Sequence, residues 1–375
     1  MDGLYIGLMS GTSLDAIDAA LVSIKGEQIE LLNTHSHDFP TALKDQLRSL
    51  CQPGDNEIER MGIADRALGQ LLAEAVQTLL NKTHTKTDDV IAIGSHGQTI
   101  RHRPATAERP PEHAFTLQIG DPNTIAEITG ITTVGDCRRR DLAAGGQAAP
   151  LAPALHAAIF RGDEHRAVVN IGGMSNITHL PAAGHNEVTG FDCGPGNVLM
   201  NAWCLEQSGK DYDHNGEWAK SGQLIPELLE SMLKSPECMR LQTSGPRSTG
   251  REDFDQHWLQ HHLNAIGSQA PADVQATLLA LTVETISINI EALNPGVDGV
   301  WVCGGGAHNT HLMDSLQQRL TRPVASTAQL GVDPDWVEAI AFAWIARQTM
   351  AGAAGNLPSV TGAAREVILG GIYRV

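Results

Sequence analysis

Three glycine-rich turns and one aspartate carry most of the chemistry that can be read from this chain. Ser10-Gly11-Thr12-Ser13 and Gly172-Gly173-Met174-Ser175-Asn176 each interrupt a pair of apolar runs. Backbone can come close to a ligand where side chains are absent. Glycines flanked by Ser or Thr also present several amides and hydroxyls in a small arc, which suits phosphate oxygens. Either turn alone reads as a plain hairpin connection. Two of them at equivalent places in a repeat read as a phosphate clamp. The third turn, Cys303-Gly304-Gly305-Gly306-Ala307-His308-Asn309, follows an apolar run and precedes a helical one. It is expected to bring a ligand to the free amides and partial positive charge of a helix N-terminus. Neither GxxxxGK[ST] nor GxGxxG occurs in the chain. Asp192 ends the apolar run 187–191 and precedes Gly194-Pro195-Gly196-Asn197, where a helix is expected to open. A carboxylate at a strand end, beside a helix start and a phosphate turn, is placed to act as a general base. The competing role is a helix N-cap, which the Asn197 side chain can supply instead.

These residues need elements to hold them. Apolar runs 3–8, 17–24 and 28–33 read as three strands joined by tight turns. Helical spacing follows over 58–80, with Met61, Ala64, Leu68, Leu71, Leu72, Ala75, Val76 and Leu79 on one stripe. Strands are expected at 90–93, 115–119 and 131–134, a loop at 94–99, and helices near 121–123 and over 150–160. From Ala167 the pattern begins again, with strands at 167–171, 177–180 and 187–191 and a helix over 198–207. A helix over 274–293, a strand at 299–303, a helix over 310–320, a strand near 323–325 and a helix over 335–350 complete it. A three-strand meander followed by alternating helices and strands implies a mixed sheet flanked by helices. Its repetition implies two similar α/β lobes, 1–148 and 149–375, around a cleft, with the C-terminal segment able to pack back on the first. The segment 206–272 has no partner in the first half and reads as an elaboration of the second lobe.

Composition narrows the function. The chain has 375 residues, 26 basic and 43 acidic, for a net charge of −17. That field repels nucleic acid and anionic membrane. An anionic substrate would need a local basic or amide-lined pocket. The N-terminus does not read as a signal peptide, and no apolar stretch reaches the ~18 residues of a membrane span. The six cysteines form no CxxC pair, so neither a zinc site nor a disulfide framework is expected. Scattered cysteines fit a reducing cytoplasm.

Taken together, the repeat and its glycine turns resemble the actin, sugar-kinase and heat-shock-chaperone ATPase superfamily. Within it, the stretch 7–18 (GLMSGTSLDAID) is similar to the opening of anhydro-N-acetylmuramic acid kinases. So are Ser95-His96-Gly97-Gln98-Thr99, Gly120-Asp121-Pro122-Asn123, Gly135-Asp136, the run from Arg138 to Asp141, Gly145-Gly146-Gln147, the run from Asn170 to Asn176, the run from Phe191 to Asn197, and the run from Pro334 to Ala339. These segments span nearly the whole chain.

The resemblance implies two ribonuclease-H-like lobes and an ATP- and Mg2+-dependent reaction on 1,6-anhydro-N-acetylmuramic acid, a product of cell-wall turnover. Water opens the internal ether at C1, O6 takes the γ-phosphoryl group, and N-acetylmuramic acid 6-phosphate results. Carried over by motif, Gly11, Thr12, Ser13, Leu14, Asp15, Ala16, Ile17 and Asp18, with Gly172, Gly173, Gly304, Gly305 and Gly306, would hold ATP, and Asp192 matches the family's base. The chain departs from the wider superfamily at Met9, where an aspartate is usual, which directs the search for the metal's anchor to Asp18 or Asp192. Cys193 and Asn201 stand where Thr and Asp are expected.

The sugar's lactyl carboxylate calls for a basic partner. Arg138-Arg139-Arg140 is the densest basic run in the chain, and Arg138 is the expected contact; a solvated loop is the plain alternative. His96 and Gln98 follow a strand end, where ligands collect in open sheets, and with Gln147 complete the expected substrate contacts. Glu338 starts a helix, where it either assists the water or complements the helix dipole. His257 and His261 read as surface residues. A conventional sugar kinase phosphorylating a hydroxyl uses the same clamp and base and is the main rival. The expected partners are a small anhydrosugar and water, without nucleic acid or membrane, and a homodimer is possible.

Overall fold

The computed structural model describes every residue except 12, 13, 15, 107, 108, 186, 244, 246, 248, 251 and 252. The chain opens with an antiparallel meander, β1 (Gly3–Ser10), β2 (Ala16–Lys25) and β3 (Gln28–Asp38), followed by α1 (Thr41–Leu50) and α2 (Glu57–Thr83). β3 runs five residues beyond its expected end. In α2 the expected stripe is the buried face, from Ala64 through Leu68, Leu71, Leu72, Ala75 and Val76 to Leu79. Each fully buried leucine there contributes roughly 1.5–3 kcal/mol. β4 (Val90–Ser95) pairs parallel with β1. A two-stranded ribbon, β5 (Gln98–Arg103) and β6 (Phe115–Ile119), then stands where a loop and one strand were expected. α3 (Pro122–Thr129) is capped by the Asp121 carboxylate, which accepts from the Asn123 and Thr124 amides. β7 (Thr133–Gly135), α4 (Arg139–Ala143) and α5 (Ala152–Phe160) follow.

The motif then recurs. β8 (Arg166–Ile171), β9 (Met174–Leu180) and β10 (Thr189–Pro195) form the second antiparallel meander, and α6 (Val198–Ser208) leaves it. The elaboration folds as α7 (Glu217–Ser221), α8 (Pro226–Leu233), α9 (Pro236–Arg240) and α10 (Gln256–Ile266). Leu228, Met232, Phe254 and Leu259 of this segment share one buried cluster with Val169 and Ile177 of the sheet, so it belongs to the same core. α11 (Pro271–Glu291), β11 (Gly299–Cys303), α12 (Thr310–Leu320) and β12 (Val324–Ser326) complete this part, and α13 (Val337–Met350), α14 (Pro358–Thr361) and β13 (Gly371–Tyr373) end the chain.

The two sheets repeat one strand order. The first runs β13-β7-β4-β1-β2-β3 and the second β12-β11-β8-β9-β10, so each meander is extended on its first strand by two parallel strands, and the first sheet gains an antiparallel edge strand, β13. The compact units are not the contiguous blocks 1–148 and 149–375. One is Met1–Ile159 with Trp336–Val375, and the other is Phe160–Asp335. The physical reason lies in two glycines. Gly7 and Gly94 pair across β1 and β4. A Cβ at Gly7 would overlap the carbonyl oxygen of Ala339, and one at Gly94 that of Phe342. The backbone of α13 therefore lies directly on the first sheet, so this helix completes the first unit and not the second. No helix among the described residues is long and apolar enough to cross a membrane.

Candidate active site

In the second unit, strand register assembles a polar row. Asp192 on β10 pairs with Asn176 on β9, Asn176 with Asn170 on β8, and Asn170 with Cys303 on β11. Side chains paired across strands share a face. The neighbouring row of Phe191, Ile177, Val169 and Val302 faces the core, so Asp192 and the two asparagines face the other way. Asn170 Oδ1 and Asn176 Oδ1 are buried without a hydrogen-bond partner among the described residues.

Asp192 is half-buried and sits at a register shift between Asp192 and Gly194, a bulge of the kind that re-aims a side chain at a sheet end. Its backbone N–H donates to the Arg247 carbonyl at 3.0 Å, and Oδ2 accepts from the Thr249 amide at 2.9 Å. The Arg247 guanidinium lies 3.7 Å over the Phe191 ring and donates to Asn289. The elaboration thus clamps the end of β10. Nothing in the sequence pointed to Arg247 or Thr249 beyond a stretch rich in turn residues. The adjacent Cys193 thiol donates to the Ser175 carbonyl at 3.3 Å. Burial, with the Asp192 charge beside it, raises the thiol's pKa, so it stays protonated.

Neither Asp192 nor Asn197 caps α6. The Gly172 carbonyl accepts from the Asn197 amide at 2.8 Å, and the Gly173 carbonyl accepts from Gly196 and Val198 at 2.9 and 3.1 Å. Asn197 Nδ2 donates instead to the Ile171 carbonyl at 3.2 Å. The turn 172–173 therefore supplies its carbonyls to the helix start.

The triglycine loop does not lead straight into a helix N-terminus, as the sequence had suggested. Gly305–His308 form a single 3-10 turn, and α12 starts only at Thr310, capped by Asn309 Oδ1, which accepts from the Leu312 amide at 3.0 Å. Gly304 has φ +77°, and a Cβ there would overlap Asn170 Oδ1. At Gly306 a Cβ would overlap the Ile171 side chain. Packing against the end of β8 is what requires these two glycines. Gly172 and Gly305 differ, since the nearest atoms to a Cβ are 3.7 and 3.8 Å away, an ordinary contact distance, so packing does not require glycine there.

In the first unit, Thr12, Ser13 and Asp15 lie outside the described residues. Gly11 accepts from the Leu14 amide at 3.1 Å. Leu14 and Ile17 are buried in the core, so any ligand contact from them would come through backbone. Ala16 opens β2. Asp18 pairs with Met9 and accepts from Ser36 Oγ at 3.2 Å. Ser10, at the end of β1, donates to the buried Gln98 side chain. His96 Nε2 accepts from Arg138 Nε and Nη2 at 3.1 and 3.0 Å. Arg138 Nη1 donates to the Ala148 carbonyl at 2.7 Å. Burial, then the neighbouring guanidinium, push the His96 pKa down to about 3, so the ring is neutral and its proton belongs on Nδ1. The ring packs on Phe342 of α13, with centroids 4.9 Å apart. Of the three consecutive arginines only Arg138 turns inward; Arg139 is exposed beside Asp136, and Arg140 is exposed. Gln147 is tied by its N–H to the Thr361 carbonyl at 2.7 Å and by Nε2 to the Ala105 carbonyl at 3.3 Å. Glu338 is half-buried in the first turn of α13, next to the residue that touches Gly7. Register and hydrogen bonds thus bring together His96, Gln98 and Arg138 in one unit, and Asp192, the 172–173 turn and the triglycine loop in the other.

The family model for anhydro-N-acetylmuramic acid kinase matches residues 3–375. The chain belongs to the anhydro-N-acetylmuramic acid kinase family. It is 50% identical over 373 residues to the anhydro-N-acetylmuramic acid kinase of Shewanella pealeana, covering 98% of each chain. To that of Coxiella burnetii it is 49% identical over 372 residues, covering 98% of this chain and 97% of the relative. Among solved structures, a ROK family glucokinase from Streptomyces griseus in complex with glucose and AMPPNP aligns over 92% of this chain and all of that one, at 13% identity and a TM-score of 0.40. Every segment quoted above, from Gly7 to Ala339, lies inside the span matched to the anhydro-N-acetylmuramic acid kinase family. The enzyme class expected from the sequence, a kinase on a duplicated α/β fold, therefore stands.

Proposed function

We propose that this kinase uses ATP to convert 1,6-anhydro-N-acetylmuramic acid and water into N-acetylmuramic acid 6-phosphate, a step that recycles cell-wall material. The observation that carries this reading is the full-length similarity to relatives of that name at 49–50% identity. Placement of the charged groups supports the roles. O6 of the substrate is an ether oxygen without a proton, so a base has nothing to remove there. Asp192 takes a proton from water instead; the water oxygen bonds to C1, the C1–O6 bond breaks, and O6 takes the γ-phosphoryl group of ATP as its bond to the bridging oxygen breaks and ADP leaves. A base in this position typically contributes ~10²–10⁴ in rate. Arg138, the inward arginine, meets the lactyl carboxylate, with Gln98 and Gln147 nearby and His96 holding the guanidinium. Glu338 assists from the start of α13.

For the nucleotide, Gly172 and Gly305, which packing does not require, and the unpartnered Oδ1 atoms of Asn170 and Asn176 suit a ligand that brings hydrogen-bond donors, such as amino and hydroxyl groups. Gly11 to Asp18 and Gly172-Gly173 take the phosphates, and Gly304 to Gly306 the adenosine. Among the described residues no group of three His, Cys, Asp or Glu side chains could hold a metal. Mg2+ usually binds through one or two carboxylates, water and substrate phosphates, with Asp18 or Asp192 the residue to provide the carboxylate. When bound, it supplies neutralisation of phosphate charge. All six cysteines are free, in keeping with a reducing cytoplasm.

Product mass tests the reading. Ring opening adds water as well as a phosphoryl group to the sugar. A product heavier by the phosphoryl group alone would favour the rival, a kinase acting on a free hydroxyl.

A further inference from the structure

Asp141 is fully buried in the first unit, three residues beyond the nearest expected site residue, Arg138, on the short helix α4. Its Oδ1 accepts from Asn356 Nδ2 and from Thr361 Oγ1, both at 2.7 Å. Its Oδ2 accepts from the Ala148 amide at 2.8 Å. A buried carboxylate is tolerated only when hydrogen bonds satisfy it, and these three donors do so, with no cation among them. The surrounding loop is built around it: the Gly146 amide donates to the Asp141 carbonyl at 3.0 Å, and a Cβ at Gly146 would overlap Oδ2.

The residue it grips is unusual. Ala148 is completely buried and has φ +59°, a left-handed conformation that non-glycine residues avoid and that persists where the surroundings over-determine it. Asp141 holds its amide from one side, and Arg138 Nη1 holds its carbonyl from the other at 2.7 Å. A second left-handed residue, Asp136 at φ +55°, precedes Arg138 by two. Thus the segment 356–361 grips Asp141, Asp141 grips Ala148, and Ala148, with His96, aims Arg138. Strained backbone on both flanks of one arginine, secured by a buried carboxylate, is more than an ordinary loop needs.

We propose that Asp141 is a positioning residue for recognition of the substrate's anionic group, acting through Ala148 on Arg138. The inference rests on Arg138 meeting the lactyl carboxylate, as read above. A carboxylate suits the role because it only accepts; the amide of asparagine would turn a donor toward the Ala148 N–H or toward Asn356 and Thr361.

The test compares two substrates, the anhydrosugar acid and its neutral lactyl carboxamide, across three variants. Arg138→Ala should raise KM for the acid and leave the carboxamide little changed. Asp141→Asn should also raise KM for the acid, by about tenfold, the order of one hydrogen bond to a charged group, with kcat within about twofold and the carboxamide unaffected. In the double variant the Asp141→Asn effect should vanish, because coupled residues are non-additive. Thr361→Val, which removes one donor and keeps the shape, should act in the same direction more weakly and carries the test if Asp141→Asn does not fold. If Arg138→Ala fails to distinguish acid from carboxamide, the reading of Arg138 falls, and this proposal with it. If Arg138→Ala distinguishes them but Asp141→Asn or Thr361→Val alters both substrates equally, or neither, the positioning role alone is overturned.

Discussion

Asp192 and Arg138 are the two charged groups on which the proposed reaction depends, and the two units hold them differently. Asp192 stands half-buried at the bulged end of a strand, steadied by the Thr249 amide from an elaboration that the first unit lacks. Arg138 is held through a backbone carbonyl, a neutral histidine and a loop locked from behind by Asp141. The contrast suits the two proposed tasks. A base must exchange protons with water at the edge of a sheet. A recognition group must keep its charge and direction, so its surroundings are rigid and its histidine neighbour is kept uncharged.

The sharpest way to break this contrast is to neutralise the base. Asp192→Asn should fold normally and still bind nucleotide, while kcat falls by ~10²–10⁴. Near-normal turnover with an unchanged thermal melt would remove Asp192 from the mechanism. The recognition side should respond in KM. Arg138→Ala should weaken substrate by about 1.5–3 kcal/mol, the range for a hydrogen bond to a charged group, seen as roughly a ten- to hundredfold rise in KM with kcat much less affected. A collapse of kcat with KM constant would reverse the two roles. Next comes the rigidity behind the first unit. Gly7→Ala drives a Cβ into the Ala339 carbonyl and should cost about 1–3 kcal/mol, as overpacking does, lowering Tm. An unchanged melt would show that α13 can lift off the sheet freely.

The mildest test uses acid. His96 and His156 are buried, and burial pushes both pKa values down to about 3, with the Arg138 charge adding to the effect at His96. Between the ordinary value near 6.5 and that depressed value, the unfolded chain takes up protons that the folded chain refuses. Stability is therefore fully present above about pH 6.5 and declines as pH falls, by at most about 1.4 kcal/mol per pH unit for each histidine. Denaturant midpoints at pH 7 and 5 should show this loss, and His156→Gln should reduce its slope. KM for the anionic sugar should stay flat over the same range, because the imidazole beside Arg138 remains neutral. A KM that climbs from pH 7 to 5 would contradict the neutral pairing.

Much of this architecture was legible in the chain because it is written in local periodicity. The α2 stripe and the strands flanking each glycine turn follow from apolar spacing. β5 escaped because Gln98-Thr99-Ile100-Arg101-His102-Arg103 carries long polar side chains and no alternation. The location of α13 depends on two glycines that admit backbone to backbone, a contact that no helical pattern encodes. Site chemistry was legible where a motif is contiguous, as at Asp192 and the turns. It was hidden where partners are remote: Thr249 lies 57 residues from Asp192, and Thr361 lies 220 from Asp141. The packing role of Gly304 and Gly306 against the end of β8 was likewise hidden, since it depends on residues more than 130 positions away.

The central claim, that Asp192 activates water against the anhydro carbon while O6 receives the phosphoryl group, is tested most directly by isotope. Turnover with Mg-ATP and the anhydrosugar in oxygen-18 water should place the heavy atom on C1 of the product and leave its phosphate group unlabelled. Label in the phosphate group, or a phosphorylated sugar that has gained no oxygen from solvent, would contradict the account.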